Sequence, residues 1–122
     1  MVDYWVKYYQ ERGISAVKTP AIRWIGQTDI AGYPDIFVKL PDVGLAAIEI
    51  KTGENPGFTE QQKVYLPMLT LGLHLYSNDE RIRTLGLLPG VPFPPMKVYL
   101  VYSSGPGEPY IVIEPPHPKQ SQ

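Results

Sequence analysis

Along residues 2–12, Val2, Trp5, Val6 and Tyr9 recur at three- and four-residue spacing, and Asp3, Lys7 and Glu11 fall on the other side. That period predicts an amphipathic helix, closed by Gly13. Residues 14–25 read as a short extended piece in which Pro20 keeps Thr19 out of a helix, with a strand at 23–25 and a loop over 26–32. Two apolar runs follow, 36–40 and 45–50, and the turn-forming Pro41-Asp42-Val43-Gly44 lies between them. Together they predict a β-hairpin. After a loop at 52–58, Thr59-x-x-Gln62 has the form of a capping box. It opens a helix running toward Leu73, which Pro67 should kink or split. Residues 77–96 are too rich in turn residues and proline for regular structure. Short aromatic and β-branched strands are expected at 98–102 and 110–114, joined by a hairpin loop.

The expected order is therefore helix, strand, hairpin, helix, strand, strand. It predicts an α/β fold with a small mixed central sheet that includes the hairpin, flanked by helices, and not a doubly wound fold. Residues 1–114 form one domain in this reading, and 115–122 a proline-rich tail.

Composition narrows the chemistry. The chain has 122 residues, of which 43% are hydrophobic and 19% charged, enough apolar material for one modest core. It has no cysteine, which excludes disulfides, thiolate metal sites and a cysteine nucleophile. No apolar run approaches the roughly 18 residues of a membrane helix, so no membrane association is expected. The first ten residues lack a cationic and then apolar leader, so no signal peptide is expected. The net charge of -1 supplies no global attraction to polyanions. Neither a phosphate-binding glycine loop nor a dinucleotide fingerprint is present, so no organic cofactor is expected. His74 and His117 are far apart in sequence and read as packing and tail residues.

Three charged residues stand out against the hairpin. Asp35 opens its first strand, and Glu49 and Lys51 close its second, inside Ala46-Ala47-Ile48-Glu49-Ile50-Lys51. Alternation puts Glu49 and Lys51 on one face and Ile48 and Ile50 on the other. The apolar face is expected to meet the core, and the charged face solvent, a partner or a metal. Register decides whether Asp35 joins them. A four-residue loop would send Asp35 to the opposite face. A five-residue loop places it across from Glu49 and pairs Lys39 with Leu45; this is the register expected, because it gathers the charges and leaves Ile36 and Val38 to the core. Two converging carboxylates repel one another, and a hard divalent cation such as Mg²⁺ or Mn²⁺ relieves the repulsion. With Lys51 beside them, the local chemistry reads as metal-assisted phosphodiester hydrolysis.

Pro34-Asp35 followed by Glu49-Ile50-Lys51 on a hairpin resembles the PD-(D/E)xK nuclease motif. Gly32-Tyr33-Pro34-Asp35-Ile36 resembles that family's entry to the motif. Thr59-x-x-Gln62 resembles the helix that follows in VRR-type nucleases and in nuclease domains of bacterial polymorphic toxins. The resemblance covers roughly residues 1–75, with 32–62 the motif-specific part. It implies a restriction-endonuclease-like core and a metal held by Asp35, Glu49 and the carbonyl of Ile50. It further implies that Lys51 serves the attacking water, that Gln62 lines the site and that a helix-1 acid contributes. Glu11 is the choice for that acid, with Asp3 competing.

DNA is the substrate implied. The toxin resemblance implies the terminal toxic domain of a secreted antibacterial effector, of the type VI secretion kind. Such a domain acts in the target cell's cytoplasm and is neutralised by an immunity protein. Two other readings stand beside it. One is a cytoplasmic repair or junction nuclease with the same site. The other is a protein-binding module in which Glu49 and Lys51 are a fixed ion pair. Gln62 also has an ordinary role as the third residue of a capping box, and Glu11 as a surface partner of Lys7.

Overall fold

The computed structural model describes residues 2–51, 58–103 and 110–113, with side chains described up to residue 101. Its first element is helix α1, Val2–Glu11. Gly13 ends it with φ +74°. The N–H of Gly13 donates to Gln10 and that of Ile14 to Tyr9, both at 3.0 Å. This pair of bonds satisfies the last carbonyls and explains why glycine stands there.

Three short strands follow: β1 (Ala16–Lys18), β2 (Ile22–Trp24) and β3 (Ile30–Gly32). The hairpin consists of β4 (Ile36–Leu40) and β5 (Gly44–Lys51). Its register pairs Lys39 with Leu45 and Ile36 with Ile48, as expected, but Leu40 and Gly44 pair as well, so the loop is the three residues 41–43 and not five. Gly44 turns the chain at φ +90°, a conformation L side chains avoid.

Helix α2, Glu60–Leu71, opens on a complete capping box. The Gln62 N–H donates to Thr59 Oγ1 at 3.1 Å and the Thr59 N–H to Gln62 Oε1 at 3.0 Å. Pro67 does not split this helix: α2 is one continuous element of 12 residues. The carbonyl that Pro67 deprives of a donor belongs to Lys63, which is exposed and so within reach of water. Beyond α2 come β6 (Leu75–Tyr76), a 3-10 helix (Glu80–Leu85), β7 (Lys97–Ser103) and β8 (Tyr110–Ile113).

Five strands form one mixed sheet in the order β1-β4-β5-β7-β8. β5 and β7 are parallel, with Glu49 beside Leu100 and Lys51 beside Tyr102; the other pairings are antiparallel. A second sheet has the order β3-β2-β6. The fold is thus mixed α/β with a small mixed sheet flanked by helices.

Each face of the larger sheet is covered. On one, Trp5 of α1 packs with Ile36, Val38, Ala46, Ile48 and Val101. On the other, Tyr65, Leu66 and Leu69 of α2 pack with Phe37, Ala47 and Val98, and the second sheet adds Ile22, Ala31 and Leu75. No helix among the described residues is long and apolar enough to cross a membrane.

Several sequence expectations need correction. The supposed loop at 26–32 contains β3, paired to β2 through an irregular register at Ile22/Arg23. The supposedly irregular segment at 77–96 contains the 3-10 helix, capped by Asp79, whose carboxylate accepts the Arg81 N–H. The face of β5 that carries Glu49 is not open, because α2 crosses it. The expected loops at 52–57 and 104–109, and the tail with His117, lie outside the described residues.

Candidate active site

The register brings Asp35 to the end of β5. It lies one residue before β4 and opposite Glu49 when the Ile36–Ile48 pairing is extended by one step. Its Oδ2 accepts the backbone N–H of Ile50 at 2.8 Å. The backbone around it is held as well. The Thr19 N–H donates to the Asp35 carbonyl at 2.9 Å. Thr19 itself adopts φ +43°, an uncommon conformation for a β-branched residue.

Glu49 is completely buried. Both its oxygens are engaged: Oε2 accepts from the Gln62 amide nitrogen at 3.1 Å and Oε1 from the Tyr65 hydroxyl at 3.3 Å. Burial pushes the Glu49 carboxyl up to about 8. The Asp35 carboxylate and its hydrogen bond with Glu49 act in the same direction, against the smaller opposing effects of Lys51 and Tyr65. Burial and the Glu49 charge together raise the Tyr65 phenol above its ordinary range, so it is a committed proton donor.

Lys51 shares the Glu49 face and is half-buried. Its Nζ donates to Gln62 Oε1 at 2.7 Å and lies 5.7 Å from the centre of the Phe58 ring. One Gln62 side chain therefore does two things. Its oxygen receives Lys51 and the Thr59 N–H, and its nitrogen holds Glu49. The capping role and the site role coincide in a single rotamer.

Asp35, Glu49, Lys51 and Gln62 thus form one cluster although they span 28 positions of the chain. Glu11 is not brought to it. Glu11 is exposed at the end of α1, and Trp5 of that helix packs on the opposite face of the sheet. Asp3 is bound elsewhere, to Lys18 at 2.6 Å.

Tyr65 was missed by sequence reasoning. The available signal was its position three residues after Gln62, one helical turn on along the same face. Gly32 makes room for it: a Cβ at position 32 would lie 2.3 Å from Tyr65 Cε2.

The oxygens suit a hard cation. No group of three or more His, Cys, Asp or Glu residues suited to a metal ion occurs among the described residues. The donors available are two adjacent carboxylates and the Ile50 backbone carbonyl. Burial first, and then the neighbouring Asp35 carboxylate, raises the Glu49 carboxyl, and the pair needs either a proton or a cation to balance it.

Comparison with protein-family models, curated proteins and solved structures found no match to this chain.

Proposed function

We propose that this protein is a divalent-metal-dependent nuclease that hydrolyses DNA phosphodiesters at the Asp35–Glu49–Lys51–Gln62 cluster, on a restriction-endonuclease-like core. The observation that carries this reading is the convergence itself. Two carboxylates meet at the end of one hairpin, and a glutamine from the next helix ties one of them, Glu49, to a lysine. Within the larger sheet the connectivity adds support: α1 is followed by the antiparallel neighbours β1, β4 and β5, and after α2 comes β7, parallel to β5.

Asp35, Glu49 and the Ile50 carbonyl are the groups that would hold Mg²⁺ or Mn²⁺. Such an ion supplies charge neutralisation and a more acidic water. Lys51 supplies a fixed positive charge for the attacking water or for the phosphate as negative charge builds on it. Gln62 sets the position of the Lys51 ammonium and the orientation of the Glu49 carboxylate. Tyr65 donates to the other Glu49 oxygen and closes the inner side of the site.

In biological terms the proposal is a toxic domain of a secreted antibacterial effector, acting in the cytoplasm of the target cell and silenced in its producer by an immunity protein. The direct test incubates the chain with supercoiled plasmid in Mg²⁺ and in EDTA, beside Asp35→Ala and Lys51→Ala. Mg²⁺-dependent cleavage that falls at least 100-fold in both folded variants is the expected result. Cleavage unaffected by either substitution, or none with Mg²⁺ or Mn²⁺ on DNA or RNA, would remove the proposal. Wild-type expression should also arrest a bacterial host that tolerates the Lys51→Ala variant.

A further inference from the structure

Tyr33 presents an aromatic ring to solvent from a backbone that is clamped on both sides. It is 56% exposed, yet its neighbours Gly32 and Pro34 are buried. Gly32 is fixed by its close approach to the Tyr65 ring, which leaves no room for a Cβ. Two residues beyond Tyr33, Asp35 is anchored through its carbonyl to Thr19 and through its carboxylate to Ile50. A large side chain left in water on so constrained a segment contributes little to the core. It is also prepaid in backbone order for binding something.

Its position says what. Two residues of chain place the Cα atoms of Tyr33 and Asp35 at most about 7 Å apart, so Tyr33 belongs to the segment that delivers Asp35 to the two-carboxylate cluster. Of two other aromatic residues near the cluster, Tyr65 is buried against Glu49, and Phe58 is half-buried against the core and near the Lys51 ammonium. Tyr33 is the exposed one.

We propose that Tyr33 stacks on a nucleobase next to the phosphate being cleaved, and that the substrate is therefore single-stranded or locally unpaired DNA. This rests on the nuclease reading and narrows its substrate. In a continuous duplex both faces of each base are covered by neighbours, whereas an unpaired base offers a face to an exposed ring. Stacking of this kind tolerates any base, so the preference is for strand state and not for sequence.

The test is steady-state cleavage in Mg²⁺ of a single-stranded oligonucleotide and of the same sequence as a duplex, by the wild-type chain, Tyr33→Ala and Tyr33→Phe. A 2-aminopurine base in the single strand gives an optical readout of stacking. Wild type is expected to prefer the single strand. Tyr33→Ala should raise KM on it about ten-fold with kcat within two-fold, and lose the 2-aminopurine signal. Tyr33→Phe keeps the ring and should behave as wild type. Tyr33→Leu replaces the alanine variant if that one fails to fold. Cleavage with the same KM in Tyr33→Ala as in wild type, or a preference for duplex, would overturn the stacking role and leave the nuclease reading standing. A wild-type chain that cleaves no DNA of either form would overturn both.

Discussion

The two faces of the five-stranded sheet are built from the same hairpin and differ in what they contain. Against α1, alternate residues of β4 and β5 are Ile36, Val38, Ala46 and Ile48, packed with Trp5 and Val101. Against α2, the intervening residues begin in the same way, with Phe37 and Ala47. Toward the end of β5 they become Asp35, Glu49 and Lys51, met by Gln62 and Tyr65. On the first face these hairpin residues are all apolar. The other has a polar network at one end that is buried, hydrogen-bonded and electrostatically unfavourable without a proton or a cation. Period-two alternation lets one strand serve both purposes. The first face holds the hairpin in place, and the second carries the proposed chemistry.

The sharpest way to separate the faces is by pH, without divalent ions. Glu49 ionises at about 8 in the folded chain, against 4.5 ordinarily. Below pH 4.5 it is protonated whether the chain is folded or not. Between these values the unfolded chain loses the proton and the folded chain keeps it, so rising pH works against folding. The loss is complete above about pH 8 and amounts to roughly 5 kcal/mol. Denaturant titrations in EDTA from pH 4 to 9 should show this decline, and Glu49→Gln should flatten it. Stability that rises across that window in wild type would contradict the assignment.

The opposite face should respond to volume and not to pH. Trp5→Ala removes a side chain that is 2% exposed and should cost about 4 kcal/mol at every pH. The same denaturant titrations measure it, and a loss under about 1 kcal/mol would show that α1 contributes little to holding the sheet.

Gln62→Ala is a smaller perturbation that reaches both helix and site. Loss of half the capping box should lower stability by about 1 kcal/mol. Cleavage should fall by more than that change in folding accounts for, because Lys51 and Glu49 lose their common partner. Thr59→Ala removes the Thr59 half of the cap alone and should leave cleavage close to wild type. Equal losses of activity in the two variants would reduce Gln62 to a capping residue.

The parts of this structure legible from sequence were those with local signals. The period along α1, the turn between two apolar runs and the Thr59–Gln62 pair each lie within one element. Charge in an apolar strand marked Glu49 and Lys51, and the loop length set the register that adds Asp35. The illegible parts depend on distance in the chain or on very short elements. β3 and β6 have three and two residues, too few to display a period. Tyr65 reaches Glu49 across 16 positions, and only the path of α2 over the sheet brings them together. The same path buries the charged face that alternation alone left open. Glu11 has a suitable side chain, but α1 lies on the other side of the sheet.

Calorimetric titration of Mn²⁺ into the folded chain probes the proposed cation site at Asp35 and Glu49 itself. Wild type should bind at a single site, releasing a proton below pH 8 as Glu49 gives it up, and Asp35→Asn should weaken binding at least ten-fold. Equal affinity in the two proteins, or no binding by a folded wild-type chain, would contradict it.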